Sequence, residues 1–228
     1  MIKRSLVIVI ACLIGISISA GSLDSGVSIK NSSLGADDRG NVIKTTYSYK
    51  KTSGPKIAVI SGMHARENVS ASVSKDAVRD YANSHKITIV NYNVKVNENL
   101  DYVFSVRKKG EELVAQYAVP DIQKSNYDLV IVCHDHKKGY GDGYYVATPT
   151  MDAKSLAMAE KFRGVLPELK YYQRNSDKEP KSKSILRVDI PIVQSGTPVF
   201  VYEIPEWSGY GESYDMTYKL IDAAYKVA

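Results

Sequence analysis

The sequence contains very little cysteine, which limits how the fold can be stabilised. Only two of its 228 residues are cysteine, Cys12 and Cys133. Cys12 lies in an apolar N-terminal run, so we expect only Cys133 in the mature chain. An intrachain disulfide is therefore excluded there, even if the protein is exported. Stability must come from a hydrophobic core, with a metal ion as a further candidate.

Long apolar runs are also scarce. The run at residues 6–18 follows Lys3 and Arg4 and precedes four small residues at positions 19–22. This order is typical of a secretory signal peptide, and the run is short for a membrane-spanning helix, which needs about 20 residues. We predict that residues 1–22 are a signal peptide or an uncleaved N-terminal anchor. The protein is then secreted or tethered at the cell surface.

The chain has little excess charge. Its formal net charge is +5 at pH 7, and the basic residues are scattered. The densest basic group, residues 178–183, is interrupted by Glu179 and Pro180 and is typical of a solvated loop. The sequence therefore predicts no nucleic-acid partner.

The spacing of apolar residues predicts alternating strands and helices. Strands are predicted at residues 56–60, 87–96, 127–133, 143–147, 185–193 and 198–204, and helices at residues 70–84, 111–122, 153–169 and 214–227. Continuously apolar strands that alternate with helices indicate a sheet covered on both faces. We expect one three-layer α/β/α domain with a mixed, mostly parallel sheet over residues 53–228.

The segment before this domain has a different composition. Residues 21–40 are rich in Ser, Gly, Asp and Asn, which is typical of a linker. Residues 42–50 alternate enough to predict a first strand at the edge of the sheet. Residues 23–52 are therefore interpreted as a linker followed by an edge strand.

Potential metal ligands follow two of the predicted strands. His64 and Glu67 come after the strand at 56–60, and His134 comes directly after the strand at 127–133. Ligands in such sheets bind beyond the carboxyl ends of the strands. Two His and one carboxylate form a typical catalytic zinc site with one open position. Glu203, near the end of a third strand, is a candidate to take a proton from an activated water.

Residues 62–67, Gly-Met-His-Ala-Arg-Glu, resemble the GxHARE signature of the zinc carboxypeptidases. That superfamily also contains succinylglutamate desuccinylases and aspartoacylases. The resemblance implies that His64, Glu67 and His134 bind one zinc ion and that Glu203 is the catalytic residue. His136 stays open as an alternative to His134.

The resemblance also suggests residues that contact the substrate. Arg107 matches a family arginine that binds the substrate carboxylate, although Val106 stands where the family has Asn. Tyr210 belongs to a Tyr-Gly pair seven residues after Glu203 and is predicted to line the pocket. Glu206 stays open as an alternative base.

These features predict a zinc-dependent hydrolase that cleaves an amide bond. A carboxypeptidase acting on peptides or cell-wall peptides is the first interpretation. An N-acyl amino acid deacylase is the second. A non-catalytic exported binding module on the same fold is the third, favoured by the missing Asn before Arg107.

Overall fold

The computed structural model describes residues 26–50, 53–97, 103–175, 178 and 180–228, and for residues 103–105 only the backbone. The predicted signal peptide or anchor, residues 1–22, lies outside this part of the chain. No helix within the described ranges has the length and apolar character needed to cross a membrane.

Within the described ranges, eight strands form a single sheet, and the sheet is mixed, as the sequence predicts. The strands are β1 (Val27–Asp37), β2 (Gly40–Tyr49), β3 (Ile57–Ser61), β4 (Ile89–Val96), β5 (Leu129–His136), β6 (Tyr145–Thr148), β7 (Lys170–Gln173) and β8 (Val199–Pro205). Their order across the sheet is β1-β2-β4-β3-β5-β8-β6-β7. The four central strands, β4, β3, β5 and β8, are parallel. The carboxyl ends of β3, β5 and β8 therefore lie along one edge of the sheet.

Helices cover both faces of this sheet. One face carries α1 (Asn68–His85), α4 (Ala153–Val165) and α6 (Tyr210–Val227), and the other carries α2 (Val103–Leu113), α3 (Val119–Gln123) and α5 (Ile190–Gln194). The packing of β3 on both faces explains why its sequence is continuously apolar. Ile57 and Val59 pack into the core on one face, and Ala58 and Ile60 pack into the core on the other. The predicted three-layer α/β/α arrangement is confirmed.

The strand predicted at residues 185–193 is wrong, because this segment is helical. It forms a π-helical segment (Ile185–Asp189) that continues into α5. The apolar, β-branched composition favoured a strand, but Pro191 lacks the N–H that a central strand would need. In the helix, Pro191 is the second residue of α5 and lies directly after the π-helical segment, where the regular i→i−4 hydrogen-bond pattern is already interrupted.

The helix predicted at residues 111–122 has a similar construction. It begins earlier, as α2, and passes through a π-helical segment (Val114–Ala118) into α3, which carries Pro120 in its first turn. Two proline-led helices, α3 and α5, thus pack side by side on the same face of the sheet.

The N-terminal interpretation also needs correction. Residues 27–37, predicted as part of a linker, form β1, which pairs with β2 along its length. Strand β2 is therefore not the edge of the sheet, since it lies between β1 and β4. The polar composition that suggested a linker suits an edge strand, where polar side chains face solvent and discourage pairing with other chains.

Candidate functional site

A tight turn after β3 presents two potential ligands at the carboxyl edge of the sheet. The Glu67 N–H donates to the His64 carbonyl oxygen at 3.0 Å, which folds the intervening residues back on themselves. Gly62 makes this turn possible, because its φ is +77° and a Cβ there would lie 2.3 Å from the Val94 carbonyl oxygen. The glycine of the sequence motif therefore has a steric role.

His64, Glu67 and His134 converge on one point. The His64 Nδ1 and the His134 Nδ1 each lie 2.7 Å from a different oxygen of the Glu67 carboxylate. The two imidazole rings stack with their centroids 4.7 Å apart. One potential ligand atom from each residue falls within 4.8 Å of the others. This buried set of two nitrogens and a carboxylate fits the donor chemistry of zinc.

The charges within this cluster stabilise each other. Burial disfavours the charged forms, but the charge and hydrogen bond of Glu67 more than offset it and raise the pKa of His134 to about 9. Burial likewise opposes ionisation of Glu67, but His134 and then His64 lower the pKa of its carboxyl to about 2. Without a metal, the carboxylate thus holds a proton on His134. A bound metal ion would replace that proton.

Glu203 lies beside this cluster. It is the register partner of His134 in the parallel pair of β5 and β8, and it faces the same cavity as His64 and Glu67. Burial raises the pKa of its carboxyl, although the charge of His134 acts in the opposite direction. Glu206 also lines the cavity, but it is exposed. Of the two candidate bases, only Glu203 is held on the strand next to a ligand.

His136 is not part of the three-residue cluster, although it lines the same cavity. Its Nδ1 lies 3.2 Å from the Lys137 carbonyl oxygen and its Nε2 lies 2.9 Å from the Gly143 carbonyl oxygen. Its ring packs against the rings of Tyr145 and Trp207. The structure therefore brings His134, and not His136, to His64 and Glu67.

The ligand cluster opens onto a cavity of ≈ 520 Å³. Arg107 lines it, with its Nη1 3.7 Å from the Glu67 carboxylate and its Nε 3.6 Å from the Glu111 carboxylate. Both distances are too long for hydrogen bonds, and the side chain is 50% exposed. Arg107 thus keeps donors available to a ligand in the cavity.

Tyr210 is not brought to the site. It is half exposed at the start of α6, and its hydroxyl donates to the Asp76 carboxylate on α1 at 2.5 Å. It is not among the residues that line the cavity. The Tyr-Gly spacing that suggested a pocket residue is here the first turn of a helix.

Two buried carboxylates near the ligands were not singled out in the sequence. Glu111 on α2 lies 3.7 Å from the Nε2 of His64 and accepts from Arg187 at 3.3 Å. The His64 Nε2 is buried and has no hydrogen-bond partner in the described part of the chain. A carboxylate on the far side of a ligating imidazole commonly orients the ring. The i, i+4 spacing of Arg107 and Glu111 was the only sequence signal for this residue.

The second buried carboxylate is Asp189, at the end of the π-helical segment. It is 1% exposed, and its Oδ1 has no hydrogen-bond partner among the described residues. Burial raises the pKa of its carboxyl to about 7, with His134 lowering it and Glu203 raising it further. Because the segment was predicted as a strand, the sequence did not place this residue near the site.

No protein-family model and no curated protein matches the chain. Solved structures do share its fold. A metallo-carboxypeptidase from Burkholderia cenocepacia matches with a TM-score of 0.61 and 13% identity, over 88% of this chain and 64% of that one. The product-bound cell shape determinant protein Csd4 from Helicobacter pylori matches with a TM-score of 0.55 and 12% identity, over 81% of this chain and 55% of that one.

An aspartoacylase family protein from Mesorhizobium loti matches with a TM-score of 0.56 and 12% identity, over 93% of this chain and 71% of that one. The chain thus spans less than two thirds of the length of the Burkholderia and Helicobacter proteins. At these identities the matches show the fold. The resemblance that residues 62–67 suggested is confirmed at that level: the chain has the fold of the metallo-carboxypeptidases and aspartoacylases.

Proposed function

We propose that this protein is a zinc-dependent hydrolase that cleaves an amide bond near the carboxyl end of a peptide. The observation that carries the proposal is the convergence of His64, Glu67 and His134, with Glu203 on the neighbouring strand. His64, Glu67 and His134 would hold the ion. When bound there, zinc would activate a water molecule and polarise the carbonyl of the scissile bond.

Glu203 would act as the general base and then as the acid. Its carboxyl is partly buried, and burial raises its pKa, which makes the carboxylate a stronger base near neutral pH. It would take a proton from the attacking water and deliver it to the leaving nitrogen. Arg107, half exposed on the cavity wall, would pair with the terminal carboxylate of the substrate.

The proposal includes an extracellular or cell-surface location. It follows from the composition of residues 1–22 alone. Peptides of the cell wall are then a natural substrate class. Csd4 of H. pylori, described as a D,L-carboxypeptidase and crystallised with a tripeptide, shares the fold, which supports testing peptides of this kind first.

The first experiment measures zinc content and peptidase activity on the same samples. We expect one zinc per chain in wild type and in Glu203→Gln, and little in His64→Ala. Peptidase activity should fall by about 10²–10⁴-fold in Glu203→Gln, since a general base contributes on this scale. Glu206→Gln is the matched control, because Glu206 lines the same cavity and should retain activity.

Two results would sink parts of the proposal. If wild type holds no zinc after reloading, the site does not bind this metal and the hydrolase proposal fails. If Glu206→Gln abolishes activity and Glu203→Gln does not, the base is assigned to the wrong residue. Zinc binding without turnover of any substrate would favour an exported binding module.

A second candidate function is N-acyl amino acid deacylation. The aspartoacylase family protein covers more of this chain, 93%, than the two carboxypeptidases do. Parallel assays with peptides and with N-acyl amino acids distinguish the two functions. Preferential cleavage of N-acyl amino acids would assign the site to the deacylase class.

A further inference from the structure

Helix α1 begins at the metal cluster without a cap of its own. Glu67 occupies its N-cap position but makes no side-chain capping hydrogen bond. The Glu67 carboxylate is instead engaged by His64 and His134. A helix start leaves several backbone N–H groups without partners, so these donors must be satisfied from elsewhere.

Asp135 on β5 supplies the missing cap. Its Oδ2 accepts from the Val69 N–H at 2.9 Å, and its Oδ1 accepts from the Ser70 N–H at 2.7 Å. These are the second and third helical residues, whose N–H groups an N-cap side chain normally serves. The carboxylate also lies at the positive end of the 18-residue helix. A residue of β5 thus caps helix α1, which follows β3 in the chain.

We infer that Asp135 is a positioning residue for the metal site. It follows His134 directly on β5, and it binds the backbone two and three residues after Glu67. This link runs beside the 2.7 Å contact between the Glu67 carboxylate and the His134 ring. Any sliding of α1 along β5 would break both together.

At the start of α1 the two carboxylates have different partners: Glu67 contacts the histidines, and Asp135 accepts from the helix N–H groups. Glu67 can face the two histidines only because it does not have to cap α1. If Asp135 is removed, the free N–H groups of Val69 and Ser70 compete for a nearby acceptor. The Glu67 carboxylate is a charged acceptor at the same helix end, and turning it toward them would pull it from the metal.

The inference rests on the proposed metal site, so its test compares zinc affinity across variants. Asp135→Ala removes the cap, and Asp135→Asn retains one acceptor oxygen. Asp152→Ala is the matched control, since Asp152 caps α4 by accepting from the Ser155 N–H at 2.9 Å. The probes are zinc, titrated against a chromophoric chelator, and cobalt(II), whose absorption spectrum reports ligand geometry.

We expect Asp135→Ala to weaken zinc binding by about 10–100-fold, the range found when groups that orient metal ligands are removed. The cobalt spectrum should change with it. Asp135→Asn should fall between wild type and Asp135→Ala. Asp152→Ala should bind zinc within about twofold of wild type, although it loses a helix cap of the same kind.

The outcomes separate this inference from the proposed function. Failure of wild type to bind zinc refutes the metal site itself. Zinc binding by wild type with an unchanged affinity and cobalt spectrum in Asp135→Ala refutes only the positioning role. If Asp135→Ala does not fold, Asp135→Asn decides, and wild-type affinity in that variant overturns the inference.

Discussion

The Glu67 carboxylate contacts His64 and His134 with both of its oxygens, so the protein without metal already holds its ligands together. A proton on His134 takes the place of the cation, because the carboxylate raises the pKa of that ring to about 9. Proton and metal therefore compete for one position. At the scale of single residues, the candidate ligands are pre-organised, and the affinity of the proposed site for a metal is expected to depend on pH.

This pair predicts how the stability of the zinc-free protein depends on pH. The folded-state pKa of His134 lies above the ordinary value of 6.5, so its stabilisation is complete below pH 6.5 and is lost as the pH rises through about 9. We expect the free energy of unfolding to fall by up to about 3 kcal/mol over that interval. Urea denaturation in the presence of a chelator measures it, and His134→Gln should flatten the curve.

Asp189 provides the control for this prediction. The pKa of its carboxyl is raised from 3.8 to about 7. The stabilisation that the protonated carboxyl contributes is therefore lost as the pH rises from about 3.8 to about 7. Asp189→Asn should therefore change the curve below pH 7 and leave the decline from pH 7 to 9 in place. An equal decline in His134→Gln would contradict our assignment.

At the scale of elements, helix α2 approaches the ligand-bearing turn through a glycine. A Cβ at Gly110 would lie 1.6 Å from the carbonyl oxygen of Met63, the residue before His64. Gly164 in α4 is also a helical glycine, but a Cβ there would meet nothing within 4 Å. Alanine substitutions at the two positions therefore distinguish the effect of close packing from the effect of helix propensity.

We predict opposite effects for the two alanine substitutions. Gly110→Ala must push α2 away from the turn, so it should destabilise the protein by about 1–3 kcal/mol and weaken zinc binding. Gly164→Ala should stabilise it by about 0.5–1 kcal/mol, since alanine favours a helix more than glycine does. Urea denaturation and zinc titration of both variants test this. Equal free energies of unfolding for the two variants would show that α2 can move away from the turn without destabilising the protein.

The elements also show how far the sequence could be read. Residues 62–67 are a local motif, so the positions of His64 and Glu67 follow from the turn that the motif forms. His134 and Glu203 follow from parallel strands that end at one edge. The prediction that Tyr210 lines the pocket was wrong, because its spacing from Glu203 carries no information about the direction of the following helix.

The carboxylates near the ligands could not be predicted from the sequence in the same way. Asp135 and Glu111 contact elements that are distant in sequence, and Asp189 lies close enough to His134 and Glu203 for their charges to shift its pKa. Asp189 was further hidden by the apolar run around it, which predicted a strand. Polar residues that sit in apolar elements are visible in the sequence, but their partners are not.

At the scale of the whole molecule, the metal is predicted to add thermal stability to a fold without disulfides. Among the described residues the one cysteine, Cys133, is free and buried. Zinc at 100 times its Kd would add about 2.7 kcal/mol if it binds only the folded state. For a domain of this size the expected rise in Tm is about 5–10 °C.

Differential scanning calorimetry with and without zinc tests this prediction. His64→Ala lacks a ligand and should show no rise. The rise in wild type should be larger at pH 8 than at pH 6, because zinc must displace the proton from His134. A rise of the same size in His64→Ala would place the zinc elsewhere on the molecule.

Strand β8 follows every other strand of the sheet in sequence, yet it lies in the interior, between β5 and β6. Until β8 is synthesised, β6 and β7 cannot join the rest of the sheet, and β5 keeps one row of backbone hydrogen-bonding groups unpaired. Glu203 arrives with this strand. A growing chain therefore has its potential ligands before its potential base. Until β8 inserts, the unpaired edge of β5 is a site at which the incomplete chain can aggregate.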